Sequence, residues 1–249
     1  MFIPSQVPET ILKLIKALLL AVAVTGLVGC AQPLKKQAFN SAAAAHIVTL
    51  VVTQKPNQDQ YDAAVLAHPG VSFGLIGGLI AAADMQNKSN QLTASIDPKE
   101  TRLQERLGFI LQNRLSQSGY QVKTVTLKKD TKDEEILGQV RALGDTSDAV
   151  LSVDLTGAYW AAGPGSDYFP RLIARVKKID GKDGKTLYED LLTYGYNSPQ
   201  LQSVHLISAE QYRFATIGAL TADAAKTRKG LLDGLDAIAD QIVIDLKKP

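Results

Sequence analysis

Cysteine is all but absent from this chain: its 249 residues hold one, Cys30. A lone thiol cannot close an intramolecular disulfide, so the fold must be held by an ordinary packed core. An excess of either charge is missing too. Lys and Arg number 27 against 25 Asp and Glu, a net charge of +2 that leaves no electrostatic footprint for nucleic acid. No apolar run reaches the roughly 20 residues that a membrane-crossing helix needs. The most apolar stretch near the start, Ala17 to Val28, stops at 12. Histidine is scarce, and His46, His68 and His205 lack the short spacing of metal ligands. Neither H-E-x-x-H nor G-x-S-x-G occurs. Gly184-Lys185-Thr186 fails as a phosphate loop, because the glycine required five positions before Gly184 is Ile179. The expectation from these absences is a protein that is not an enzyme and carries no metal.

What is present begins with the surroundings of the one cysteine. Lys13 and Lys16 form a positive segment, Ala17 to Val28 an apolar one, and Leu27-Val28-Gly29-Cys30 ends it with small Gly29 before the thiol, the order of a cleavable signal peptide. This stretch resembles the lipobox of bacterial lipoproteins. The resemblance implies that the Cys30 thiol takes a diacylglycerol, that the chain is cut before it, and that no cofactor other than this covalent lipid is needed. In such proteins an aspartate after the cysteine favours the inner membrane. Here Ala31 follows, which implies an outer-membrane anchor facing the periplasm. Several acyl chains make such anchoring effectively permanent, since each buried methylene contributes about 0.8 kcal/mol.

The expected organisation is a signal peptide over 1–29, acylated Cys30 with a polar and alanine-rich tether over 30–45, and one domain over 46–249. His46 to Thr53 is a β-branched run of strand length, followed by a polar stretch from Gln54 to Gly70 that reads as a loop. Asp97-Pro98-Lys99-Glu100 signals a helix start, and Leu103, Leu107, Ile110, Leu111 and Leu115 recur at helical spacing until Gly119. A strand at Tyr120 to Leu127, a short helix ending near Gly144 and a strand at Ala149 to Tyr159 follow. Arg171 to Ile179 and Lys185 to Tyr196, joined by a glycine-aspartate turn, predict an antiparallel hairpin. Ser208 with Gln211 reads as a cap for an alanine-rich helix, Gly230 as its separator from a closing helix, and Leu231, Leu235, Ile238, Ile242 and Leu246 as that helix's buried face. The fold class is thus α/β: a mixed sheet of about five strands with a C-terminal antiparallel meander and helices packed on it. This order resembles the periplasmic domains of the TolB amino-terminal and curli-secretion lipoprotein type.

Two features stand out as candidate contacts. Val71 to Ala83 is uncharged, with Gly74, Gly78 and Ala82 at four-residue spacing, a smooth stripe if helical. It reads as a buried helix of the domain; the alternative is a segment that docks on a partner, a second copy or the membrane surface. Tyr159, Trp160, Tyr168 and Phe169 flank a glycine-rich loop and read as exposed partner anchors, whereas Tyr188, Tyr194 and Tyr196 read as sheet packing. The leading function is a lipid-anchored binding or assembly factor for an unknown envelope protein. The alternative is a subunit of an oligomeric secretion or envelope complex, self-associated through Gly74, Gly78 and Ala82. A third class, an envelope hydrolase, would need a catalytic set assembled from distant residues.

Cys30→Ser is expected to abolish both lipid attachment and cleavage by the lipoprotein route. Metabolic labelling with palmitate checks this; a processed, labelled species from the variant would refute the anchor.

Overall fold

The computed structural model describes residues 36–198 and 201–248, so Cys30, Ala31 and the signal segment lie outside the described residues. Strands are β1 (Thr49–Gln54), β2 (Asp62–Val65), β3 (Gln121–Thr126), β4 (Ala149–Ala161), β5 (Phe169–Asp180), β6 (Thr186–Gly195) and β7 (Val204–Leu206). Helices are α1 (Gly74–Ser95), α2 (Pro98–Thr101), α3 (Leu103–Gln117), α4 (Ile136–Ala142), α5 (Ile217–Ala222) and α6 (Ala224–Asp245). All seven strands join one mixed sheet in the order β3-β1-β4-β5-β6-β7, with β2 also on β4. The pairs β1·β3 and β1·β4 are parallel and β4·β5·β6 form the expected antiparallel meander. Short β7 runs parallel to β6.

Strand β2 lies within the stretch read as a loop, and its pairing explains why it was hidden. It shares one edge of β4 with β1: Leu50 to Thr53 pair with Ala149 to Ser152, and Asp62 to Val65 with Ala158 to Ala161. Between them the edge of β4 is satisfied by side-chain amides, as buried backbone groups must be. Gln104 donates to the Val153 carbonyl at 2.8 Å and accepts from the Leu155 amide at 3.1 Å. Gln58 does the same for Gly157, at 2.9 and 2.7 Å.

Asp97 caps as expected, its carboxylate accepting from the Lys99 amide at 2.8 Å. The helix it opens ends after one turn, however, because Arg102 adopts φ 45°. The next helix, α3, starts from a distant cap: the Asn57 side-chain oxygen accepts from the amides of Gln104 and Glu105. Two other expectations are corrected. Ser208 caps no helix; Thr216 caps α5 and Asp223 caps α6. Gly230 separates nothing, being buried inside α6 against the sheet.

The main core lies between one face of the sheet and the helix pair α3 and α6. Leu151, Val153 and Leu155 of β4, Leu172, Ala174 and Val176 of β5, and Leu192 and Tyr194 of β6 meet Leu107, Leu111 and Leu115 and, from α6, Leu231, Leu235, Ile238 and Ile242. The opposite face is covered at one end by α4, where Ile136 and Val140 pack on Val51, Val150 and Ile179. Residues 36–45, expected to be tether, are instead held on the domain. Gln37 exchanges backbone hydrogen bonds with Glu189 at 2.8 and 3.0 Å, and Ala44 is buried.

Within this core Lys178 is fully buried. Its ammonium donates to the Tyr120 hydroxyl at 3.2 Å and lies 4.2 Å from the Phe39 ring centre. Burial pulls its pKa down from 10.5 to about 8, with the Lys248 charge acting in the same direction. Protonation is therefore easier in the unfolded chain than in the folded one. Between pH 8 and 10.5 the unfolded state holds a proton that the folded state lacks, so this group's contribution to stability rises with pH over that window. Lys178→Met is expected to stabilise at pH 7 by at most about 3 kcal/mol, less the lost contacts to Tyr120 and Phe39, with the advantage shrinking as pH is raised from 8 to 9.5. Denaturant midpoints of the two proteins across that range check it.

Candidate docking surface

The uncharged run forms the first half of α1, as expected of a helix, but it is not buried. A step of 100° per residue places Leu75, Ile76, Leu79, Ile80 and Ala83 on the side away from Gly77 and Ala81. Leu75 is 84% exposed, Ile76 75%, Leu79 65% and Ile80 62%, and Val71 just before the helix is 61% exposed. The buried residues of α1 are Gly77, Ala81, Ser89 and Leu92. Farther along, the same outward side carries Gln86, Asn87, Asn90 and Gln91, all exposed. One helix thus shows an ordinary polar exterior over its second half and a continuous aliphatic one over its first.

The helix is held firmly from the other side. Ser89 and Thr93 accept from the backbone amides of Ala63 and Tyr61, both at 3.0 Å, fixing α1 to β2 and the residues before it. His68 caps the 3-10 turn Pro69–Phe73 by accepting from the Gly70 amide at 3.1 Å, and its other ring nitrogen meets the Asp84 carboxylate at 3.2 Å. Lys88 closes on the same carboxylate, whose pKa is held below the usual range chiefly by that hydrogen bond. Gly74 joins the turn to the helix at φ 67°, a left-handed conformation that favours glycine. Gly74 and Ala82 are exposed and Gly78 is half-buried, with open space where side chains on Gly74 and Gly78 would stand.

The aromatic anchors separate into two groups, because they belong to strands and the pleat sends neighbours to opposite faces. Tyr159 is fully buried on the helix side, its hydroxyl donating to the Thr227 carbonyl at 2.9 Å and its ring edge-on to Phe214. Tyr168 is 5% exposed and pairs its backbone with Phe214. The exposure expected of these two is thereby corrected: they are core residues. Trp160 and Phe169, which face each other in the β4·β5 register, are half-buried on the opposite face. Tyr188 and Tyr194 are buried in the sheet packing expected of them.

Among the described residues no group of three or more His, Cys, Asp or Glu gathers as a metal site, and no helix is long and apolar enough to cross a membrane. A groove of about 530 Å³ beside α3 is lined by Gln54, Arg102, Glu105, Phe109, Thr124 and Asp236, among others. Arg102 pairs with Glu105 at 3.1 Å and Asp236 with Arg114 at 2.6 Å, while Arg106 donates to the Thr101 carbonyl at 2.8 Å. The first half of α1 carries four of the exposed large aliphatic side chains on one helix face.

No protein-family model matches this chain, and no curated protein matches it in sequence. Among solved structures it is similar to the PelC dodecamer from Paraburkholderia phytofirmans, at 12% identity over 86% of this chain and 95% of that one, with a TM-score of 0.32. It is also similar to a putative neuraminyllactose-binding hemagglutinin homolog from Helicobacter pylori, at 12% identity over 83% and 88% with a TM-score of 0.36. Lipoprotein GNA1162 from Neisseria meningitidis matches at 14% identity over 78% and 98%, with a TM-score of 0.25.

Proposed function

We propose that this chain is a lipid-anchored lipoprotein of the bacterial outer membrane, facing the periplasm, that acts without catalysis as an assembly factor by docking the first half of α1 on a second copy of itself. The carrying observation is the row Val71, Leu75, Ile76, Leu79 and Ile80, all more than 60% exposed on an otherwise well-packed domain. Monomers rarely expose contiguous apolar patches beyond a few hundred Å². The anchor rests on Leu27-Val28-Gly29-Cys30, and the outer-membrane placement on Ala31.

Three features favour a second copy as occupant. Five large aliphatic side chains per protomer amount to on the order of 500 Å², so two such faces around a two-fold axis approach the roughly 1,200 Å² at which specific interfaces begin. Gly74, Gly78 and Ala82 beside them let two helix backbones come close. No Lys or Arg lies between Lys55 and Lys88, so the aliphatic half of α1 itself carries none of the cations with which interfacial helices engage anionic headgroups.

The unacylated chain from Lys35 onward, which forms one compact unit, is expected to self-associate when its mass is measured in solution across concentration. Leu75→Glu with Leu79→Glu is expected to leave it monomeric with its melting temperature unchanged. A wild-type chain that stays monomeric up to roughly 100 µM would overturn the reading. If that monomer floated with phosphatidylethanolamine vesicles, the membrane would be the occupant instead.

A further inference from the structure

The second face of the sheet carries a cluster that the α1 reading does not use. The pleat that turns Tyr159 and Pro170 toward the helices turns Trp160, Phe169 and Arg171 the other way. Tyr196 follows β6 at the same end, its amide bonded to the Pro170 carbonyl at 2.8 Å. Together with Arg213 they form a row of three rings with a cation at each end. The Arg171 guanidinium lies 3.6 Å from the Trp160 ring centre, Trp160 is 6.1 Å from Tyr196, Tyr196 is 6.3 Å from Phe169, and Arg213 lies 4.6 Å over Phe169.

The two arginines differ in one respect. Arg213 is neutralised by Glu210. Arg171 is 7% exposed and meets no carboxylate among the described residues. Its Nε and the Nε1 of Trp160 are both buried without an acceptor. Burial pushes the Arg171 pKa down, as expected of a cation removed from water without a counter-charge. Buried charges are ordinarily paired, and stacking on an indole supplies attraction but no acceptor. Among the described residues the cluster therefore offers hydrogen-bond donors, one positive charge with no carboxylate partner, and aromatic surface.

We propose that Trp160, Arg171 and Tyr196 form a binding site for a carboxylate whose carbon skeleton has a face able to stack on an aromatic ring, such as a uronic acid's C–H face or a peptide's C-terminal residue. The planar guanidinium fork matches a carboxylate. One unpaired cation balances one monoanion, whereas a phosphate dianion would leave excess negative charge. The Trp160 ring against the fork, with Tyr196 6.1 Å beyond it, supplies aromatic surface for the ligand's carbon skeleton.

The chain has one tryptophan, so its indole N–H gives a single resonance that reports on this site directly. With the acylated protein in non-ionic detergent, phenylacetate is expected to shift that resonance saturably, with a dissociation constant in the roughly millimolar range for so small a ligand. Phenylacetamide, its uncharged counterpart, is expected to leave it in place. Arg171→Gln should weaken phenylacetate binding at least about tenfold, and Arg171→Lys should fall between the two. Equal shifts with the acid and the amide, or no shift with the acid, would overturn the proposal on the wild-type protein alone, whatever the variants' folding. Unchanged affinity in a folded Arg171→Gln protein would overturn it too, as would inorganic phosphate binding as tightly as phenylacetate. Separate titrations with a glucuronate disaccharide and with a tripeptide ending in a free carboxylate identify the source by which binds more tightly. Failure of both to displace phenylacetate overturns the site.

Discussion

The close seating of α6 on the sheet is the contact on which the rest of the architecture depends. It is possible because the helix presents Gly230 and Gly234 to large side chains below. A Cβ on Gly230 would stand 2.5 Å from the Tyr159 hydroxyl, and one on Gly234 would stand 2.6 Å from both Leu172 and Tyr194. With α6 drawn in this far, α3 lies beside it, tied by Arg114 to Asp236 and Asp240. The helix pair then covers one face of β4, β5 and β6. That arrangement fixes which residues of each strand are core, and it leaves the opposite face to α4 at one end and to the Trp160 cluster at the other.

The same economy of core makes α1 informative. Its attachment to the domain runs through Gly77, Ala81, Ser89 and Leu92, small or remote from the aliphatic row. Leu75, Ile76, Leu79 and Ile80 thus bury little within the described domain while keeping several hundred Å² of hydrocarbon in water, and covering that surface is favourable by roughly 25 cal/mol per Å². Lipid anchoring, as proposed from Cys30, would hold copies on one surface and raise their local concentration, adding to the association expected of the soluble domain itself.

Much of the fold was legible because its signals are local. Asp97 caps where its neighbours Pro98 and Glu100 say it should, and four apolar positions of α6 and Leu246 at its C-cap are buried as their spacing implies. The hairpin of β5 and β6 follows from its glycine-aspartate turn. What was hidden depends on partners far away in sequence. Strand β2 is four residues long and exists through its pairing with β4. Arg102 breaks a periodic helix because Asn57, some fifty residues earlier, supplies the next cap. Gly230 looks like a breaker until Tyr159 and Tyr212 are seen beneath it. Of the candidate sites, the uncharged run was visible as composition, yet its exposure was not, since an all-round apolar helix reads as buried until its neighbours are known. Tyr159 and Tyr168 border the glycine-rich loop, yet strand alternation turns Tyr159 inward and backbone pairing with Phe214 holds Tyr168 in the core. Arg171, inside a strand of alternating pattern, carried no signal beyond its charge.

Amide hydrogen exchange of α1 tests most directly the claim that this helix is an interface between copies. The account predicts that Leu75 to Ala83 exchange faster on dilution while the amides of α6 keep their rates, since only the former lose cover when copies separate. Exchange over Leu75 to Ala83 that is independent of protein concentration would contradict it.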